Sequence, residues 1–327
     1  MERMPNIELK RATSLAEATA WLEADGNAKL LAGGTDLVPN LRRGIEPARV
    51  LVDLAGVPGL AEIALDAGVL TLGARVTVAR LAGNAIAARE FPALGEAARA
   101  IAGPGHRSAA TLAGNLCLDT RCIFYNQSEW WRAANGYCLK RGGTVCHVAP
   151  QGKRCHAAFS GDLAPALLVR GAEVELVSAR GARRIALADL YRDDGAAHLT
   201  LAQGEVLTCV RVPAAPPNLR SAYRKARTRG AMDFPLAGVA VGLSVHEGML
   251  GALRVAITGT NSNPILLAGC DEFVGRSVDA GLLAQLGKLV QKQVSPMRST
   301  VTPSHYRRQV AAVLAQRLVR ELSGASV

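Results

Sequence analysis

Four cysteines, Cys122, Cys138, Cys146 and Cys155, are separated by 15, 7 and 8 residues within one 49-residue stretch, Thr111 to Phe159. Soft thiolates suit zinc or an iron–sulfur centre. Four of them from one segment would complete a cubane with no other protein ligand. No Cys-x-x-Cys pair is present, so the spacing is not that of a zinc ribbon or knuckle. His147 and His156 each follow a cysteine directly, which keeps a mixed Cys/His zinc site open. Cys117 is a further candidate that spacing does not exclude. Gly136, Gly142, Gly143 and Gly152 would allow close backbone approach to a bulky inorganic core and offer it N–H donors. Five of the seven cysteines lie in this stretch, so scattered buried thiols are a poor account of them; isolated Cys209 and Cys270 fit that description better.

A second kind of chemistry is suggested by small-residue loops. Lys29-Leu30-Leu31-Ala32 reads as a short buried strand that runs into Gly33-Gly34-Thr35-Asp36, then Leu37. Paired glycines let the backbone turn and clear side chains from a ligand's path, and successive free N–H groups make a concave anion site. The loop is neither a Walker A motif nor a Gly-x-Gly-x-x-Gly dinucleotide fingerprint. Thr111-Leu112-Ala113-Gly114-Asn115, directly before the cysteines, is another such loop.

The elements that must position these loops follow from patterning. Ser14 to Glu17 fits a capping box opening a helix that Gly26 closes. Val50 to Leu54 and Val69 to Ala74 read as strands, with Gly56 to Gly59 a linker between them. Thr77 caps a helix through Leu81, and Leu94 to Ile101 is an Ala-rich helix ended by Gly103-Pro104-Gly105. After the cysteines, Ser160-Gly161-Asp162-Leu163-Ala164-Pro165 leads into an apolar helix. Ala172 to Val177 and Glu205 to Val212 are β-like. Pro213 to Pro217 marks the best domain boundary. Beyond it come the basic strand Ala222 to Arg227, sheet segments Gly238 to Val245 and Leu253 to Gly259, and amphipathic helices Leu282 to Gln293 and Pro303 to Leu322.

At 327 residues the chain is long for one core. It has no apolar run long enough to span a membrane and no secretory-type N-terminus, so a cytoplasmic location is expected, with reduced thiols. The net charge of +11 is spread without a nucleic-acid signature, so no nucleic-acid partner is expected; a basic surface that meets an acidic partner or a phosphorylated cofactor is the plainer reading.

Together the two loops resemble the FAD-binding medium subunits of the xanthine oxidase family of molybdenum hydroxylases. The resemblance rests on Ala32-Gly33-Gly34-Thr35-Asp36-Leu37 and Thr111-Leu112-Ala113-Gly114-Asn115-Leu116, about 75 residues apart, and on Ser160 to Pro165, Tyr223-Arg224-Lys225 and Ser304-His305-Tyr306-Arg307. Within that family the run Gly114 to Cys122, followed by three further cysteines, is similar to the β subunit of 4-hydroxybenzoyl-CoA reductase. Gly105-His106-Arg107-Ser108 departs from the family's usual run, and Ala113 replaces a usual glycine. Neither change removes a backbone donor.

The resemblance implies an α+β chain: a two-subdomain FAD-binding fold of the vanillyl-alcohol oxidase/CO dehydrogenase flavoprotein type with an iron–sulfur loop insertion, then a C-terminal α/β domain of antiparallel sheet and helices. The expected bounds are 1–57, 58–214 with the insertion at about 117–159, and 215–327. It implies FAD held by Leu30, Leu31, Ala32, Gly33, Gly34, Thr35, Asp36, Leu37, Thr77, Ile101, Thr111, Ala113, Gly114, Asn115, Asp162 and Lys225. Asp162 would accept hydrogen bonds from cofactor hydroxyls, and Lys225 would lie near the flavin ring. It implies a [4Fe-4S] cluster on Cys122, Cys138, Cys146 and Cys155, without Cys117. The expected partners are a large molybdopterin subunit and a small [2Fe-2S] subunit, in a dimer of heterotrimers, with ferredoxin as electron donor for reductive dehydroxylation of 4-hydroxybenzoyl-CoA. This chain would do no substrate chemistry itself. The rivals are the FAD subunit of an oxidative hydroxylase acting on an N-heterocycle or aldehyde, a stand-alone FAD oxidoreductase, and a zinc-stabilised basic binding module without flavin.

Overall fold

The structure is a computed structural model and describes residues 4–216 and 218–325. Pro217, the last proline of the expected boundary, lies outside them, as do residues 1–3 and 326–327.

The chain opens with strand β1 (Glu8–Arg11), helix α1 (Leu15–Ala24), β2 (Lys29–Leu31), α2 (Leu37–Arg42) and β3 (Val50–Asp53). The three strands form a parallel sheet in the order β1-β3-β2, with Leu9 opposite Leu51 and Leu30 opposite Val52. Ser14 caps α1 by accepting from Glu17 N, while Glu17 reaches back to Thr13 N rather than to the cap residue. Gly26 does not end this helix. Asp25 turns extended after Ala24 and keeps its N–H on the Trp21 carbonyl. Strand β2 is half-buried rather than buried, because it is the edge of a three-stranded sheet.

A second sheet, in the order β4-β5-β8-β6-β7, is antiparallel throughout. It begins with β4 (Ile63–Asp66) and β5 (Val69–Gly73). Seven helices then intervene: α3 (Val78–Ala82), α4 (Ala85–Glu90), α5 (Pro92–Ala100), α6 (Pro104–Ala109), α7 (Leu112–Leu116), α8 (Glu129–Ala134) and α9 (Leu163–Leu168). The sheet is completed by β6 (Glu173–Ser178), β7 (Gly181–Ala186) and β8 (Val206–Val212). Thr77 caps α3 as its sequence predicts. Pro104 opens α6 rather than closing α5; a proline at a first helical turn lacks only an N–H that would have no intrahelical partner. Leu70, Leu72, Leu94, Leu112, Leu116 and Phe159 lie in the largest core, between this sheet and its helices.

The third sheet, β12-β11-β10-β9, is also antiparallel and comprises β9 (Arg220–Ala226), β10 (Ala237–His246), β11 (Met249–Thr258) and β12 (Ile265–Leu266). Helices α10 (Ala280–Gln293) and α11 (Ser304–Ser323) pack on it through Leu282, Leu286, Val290, Ala311, Ala315 and Leu318. Among the described residues no helix is long and apolar enough to cross a membrane.

Candidate flavin site and thiol cavity

The first glycine loop leaves the edge strand β2 at Leu31, whose carbonyl accepts from Leu54 N. Gly34 is left-handed at φ +67°, a conformation that suits glycine. Its carbonyl accepts from Val38 N, and the Asp36 carbonyl from Asn40 N, which fixes the entry into α2. Among the described residues no protein acceptor meets the backbone N–H groups of Gly33, Gly34, Thr35 or Asp36. Such a run of free donors suits a pyrophosphate. Leu30, Leu31, Ala32 and Leu37 flank it, half-buried.

The second loop meets the first. A Cβ on Gly33 would overlap the Ala109 carbonyl oxygen and stand 2.7 Å from its carbon. Only glycine permits this approach of the two chain segments. Immediately beyond, Thr111 bridges Thr77, Leu112 N donates to Val76 O at 2.9 Å, and Ala113 N donates to Ala74 O at 3.0 Å. Thr111 Oγ1 accepts from Gly114 N at 3.2 Å. Asn115 Oδ1 accepts from Leu163 N at 2.9 Å, so Asn115 caps α9 although Asp162 occupies the cap position.

That leaves the Asp162 carboxylate free for other partners. It accepts from the Tyr223 hydroxyl at 2.6 Å and from Lys225 Nζ at 3.0 Å. Lys225 Nζ also donates to Ala100 O at 3.2 Å, beside Ile101. Both charged side chains are buried. Burial is the larger influence and raises the Asp162 carboxyl, while the Lys225 ammonium and Tyr223 hydroxyl pull the other way. Tyr223 belongs to a run that carries the resemblance but was assigned no site role, yet it stands two residues from Lys225 on one strand, where side chains share a face. The structure thus brings the residue 33–36 loop, the residue 111–115 loop and Thr77 together. It brings Ile101, Asp162 and Lys225 together as a second group, joined to the first through Asn115.

The four cysteines converge. Cys122, Cys138, Cys146 and Cys155 line one small cavity, partly open to solvent, with Phe124, Tyr125, Lys140 and His147. All are free thiols, and Cys122, Cys146 and Cys155 are buried. Cys117 does not line the cavity; it packs against the large core, and burial pushes its thiol up to about 12. Cross-strand hydrogen bonds between Arg121 and Ala158, at 2.8 and 2.7 Å, hold the Cys122 and Cys155 ends of the segment side by side. Gly142 is left-handed at φ +81°, and a Cβ on Gly143 would stand 2.7 Å from Cys138 N. One ring nitrogen of His147, Nε2, is engaged by Tyr137 O at 2.6 Å. Among the described residues no three His, Cys, Asp or Glu groups are close enough to hold a single metal ion. A tetrahedral zinc, with bonds of about 2.3 Å, would draw its thiolates to within roughly 4 Å of one another. The donor set is four thiols lining one cavity, soft ligands of the kind that iron–sulfur chemistry uses.

One contact joins the cavity segment to the flavin loop. The Arg121 guanidinium pairs with the Asp36 carboxylate and donates to Asn40 Oδ1 at 2.8 Å. Burial raises the Asp36 carboxyl, and the adjacent Arg121 charge opposes this. Arg121 is in a run whose likeness to a known subunit was noted above, but its charge carried no signal of this partner.

Two glycine loops that meet and a buried Asp–Lys pair beside them define a nucleotide-cofactor site of one class. The chain belongs to the family described as the FAD binding domain in molybdopterin dehydrogenase, which matches residues 5–215. The CO dehydrogenase flavoprotein C-terminal domain matches residues 221–322. The chain therefore has an FAD-binding domain, and both glycine loops lie within it. The Aldehyde oxidoreductase FAD-binding subunit PaoB of Escherichia coli K12 is 32% identical over 287 residues, covering 85% of this chain and 88% of that protein. The carbon monoxide dehydrogenase medium chain of Afipia carboxidovorans is 27% identical over 96% of each chain. Among solved structures, the reconstituted CO dehydrogenase from Oligotropha carboxidovorans superimposes with a TM-score of 0.80 at 25% identity, covering 97% of this chain and 98% of that one. These relatives are oxidoreductase subunits. Family membership removes the flavin-free zinc-binding module from consideration, since the loops it left unexplained are those of an FAD-binding domain.

Proposed function

We propose that this chain is the electron-transfer subunit of a molybdenum enzyme and carries a [4Fe-4S] cluster beside its FAD. The observation that carries the reading is the convergence of Cys122, Cys138, Cys146 and Cys155 on one cavity, with Cys117 left out. When bound, FAD exchanges one or two electrons and the cluster one. The chain's own part is to hold and orient them. The backbone donors of Gly33, Gly34, Thr35 and Asp36 bind the pyrophosphate, with Leu30, Leu31, Ala32 and Leu37 shaping the loop. Thr77, Thr111, Ala113, Gly114 and Asn115 form the opposite wall. Ile101, Asp162 and Lys225 face the remainder of the cofactor, with Tyr223 keeping the Asp162 carboxylate in place. The thiols must release their protons to bind iron, and burial of Cys122 and Cys155 makes that release depend on the metal.

The reaction we infer is that of 4-hydroxybenzoyl-CoA reductase: 4-hydroxybenzoyl-CoA, two electrons and two protons give benzoyl-CoA and water. The chemistry would occur on a large molybdenum subunit, with a small [2Fe-2S] subunit between, in a cytoplasmic dimer of heterotrimers. Reduced ferredoxin would supply the electrons, and the thiol cavity, absent from the requirements of flavin binding, gives them a separate point of entry. An oxidative hydroxylase subunit is the second reading, favoured by the names of the relatives, which include aldehyde and xanthine oxidoreductases.

Metal and sulfide analysis of the anaerobically purified chain tests the cluster: about four of each are expected per FAD. Cys138→Ser should lose the iron and keep the flavin, because no flavin-loop contact uses Cys138. Zinc in place of iron, or flavin lost together with iron, would refute this assignment. Assay of the full complex with reduced ferredoxin and an aromatic hydroxyacyl-CoA, against an aldehyde with an oxidant, separates the two reactions.

A further inference from the structure

The wall of the thiol cavity contains a buried ammonium that ligand geometry does not require. Lys140 lies in the 3₁₀ turn Leu139–Arg141 that follows Cys138, and its side chain is only 7% exposed. It lines the same cavity as the four thiols. Its Nζ donates to Asp119 Oδ1 at 2.6 Å, to Thr120 O at 3.0 Å and to Thr120 Oγ1 at 2.5 Å, and sits 4.6 Å from the centre of the Tyr125 ring. The second carboxylate oxygen, Asp119 Oδ2, is buried and meets no hydrogen-bond partner among the described residues.

A buried ion pair is a weak source of stability, and an apolar pair of similar size often does as well. An unpartnered carboxylate oxygen makes this pair costlier still. Its electrostatic effect on a redox centre is of another kind. An electron added to an iron–sulfur centre adds negative charge, so a fixed cation in the wall stabilises the reduced form and a fixed anion the oxidised form.

We propose that Lys140 and Asp119 tune the reduction potential of the centre held by the four cysteines, the ammonium raising it and the carboxylate lowering it. This rests on the cluster reading above. Both are positioning residues: Thr120, locked to Gly195 O by its own hydroxyl at 2.5 Å, holds the ammonium in place.

The experiment is a redox titration of the anaerobically purified full chain, followed by the electron paramagnetic resonance of the reduced cluster, with iron and sulfide counted in each sample. Lys140→Met should retain iron and flavin and shift the reduction equilibrium at least about tenfold toward the oxidised form, about 59 mV downward for one electron. Asp119→Asn should move it upward, and Lys140→Arg should stay near wild type. A full cluster with unchanged potential in both Lys140→Met and Asp119→Asn overturns the inference and leaves the cluster reading standing. If Lys140→Met fails to hold iron, the Asp119→Asn titration decides alone: an upward shift supports the inference, none overturns it. Wild-type chain without iron and sulfide would remove the cluster reading and this inference together.

Discussion

Gly33→Ala tests whether the meeting of the two loops closes the flavin site. The added Cβ would overlap Ala109 O, stand 2.7 Å from the Ala109 carbonyl carbon and 3.1 Å from Ala110 Cα. All three are backbone atoms, so no side chain can swing away. Restoring the separation of about 3.5 Å at which carbon atoms meet needs a backbone retreat of roughly 0.8 Å or more. Over-packing of this kind costs typically about 1–3 kcal/mol, and rigid neighbours place it near the upper end. At about 2–4 °C per kcal/mol for units of this size, melting should fall by about 6–12 °C. In the proposed binding mode FAD spans both loops, so its affinity should fall at least tenfold, about 1.4 kcal/mol. Flavin content by absorbance and melting by calorimetry measure the two effects. Gly105→Ala is the control, four residues before Ala109 with nothing within 4 Å of its Cβ; it should be neutral or slightly stabilising. Wild-type flavin content and melting in Gly33→Ala would refute the reasoning.

Three further perturbations probe the charged contacts. Arg121→Met removes the partner of the partly buried Asp36 carboxylate and a hydrogen bond to Asn40, and should weaken FAD binding by about 1.5–3 kcal/mol, read by flavin release on dilution; unchanged affinity would mean the pair does not position the loop. Lys225→Met leaves Asp162 buried with Tyr223 alone and should cost about 3–5 kcal/mol in denaturant unfolding, with Asp162→Asn adding much less on top of it than alone. Additive losses would argue against coupling. Glu205 is held below the ordinary carboxylate value by its bidentate bonds to Arg183, at 2.6 and 2.8 Å. A carboxyl depressed in the folded state stabilises above its unfolded pKa, and that stability is lost as pH falls through the folded one. Glu205→Gln should therefore cost about 1 kcal/mol at neutral pH, discounted because Arg183 is largely exposed, and flatten the acid limb of the stability profile.

Local signals made the loops and most elements legible. The Ser14 and Thr77 caps, the glycine pair after a short strand and the amphipathic C-terminal helices all act within a few residues of themselves, and sequence records such effects directly. The pairings that build the site were not legible. Asp162 and Tyr223 are 61 residues apart, and Arg121 and Asp36 are 85 apart. Nothing in either partner's neighbourhood names the other. Strand β1 was missed for a similar reason: Glu8-Leu9-Lys10-Arg11 has almost no apolar alternation and is held as a strand by parallel pairing to β3. Strand β7 was missed because five of its six residues are exposed and they show no apolar alternation. Lys140 reads as an ordinary surface cation in a basic chain; only the tertiary fold buries it beside four thiols.

The cysteine segment is anchored by contacts that leave the glycine-loop donors untouched. Arg132, fully enclosed, donates to Gly44 O at 2.8 Å, and the Tyr125 hydroxyl donates to Ile45 O at 3.2 Å, tying the segment to the turn after α2. Ile123 N donates to Ser299 O at 2.9 Å, Gly195 N to Cys155 O at 2.9 Å and Ser262 Oγ to Cys155 O at 3.2 Å. These contacts reach all three sheets' units and use none of the free N–H groups at Gly33 to Asp36. Arg121 is different, because it leaves the segment beside Cys122 and ends on the side chain of a flavin-loop residue. Since the other anchors fall on carbonyls away from that loop, a disturbance at Cys122 has its most direct route to the flavin through Arg121 and Asp36. Cys122→Ser and Cys138→Ser should therefore differ: both should lose iron, but only Cys122→Ser should also loosen FAD, and Arg121→Met should abolish that difference.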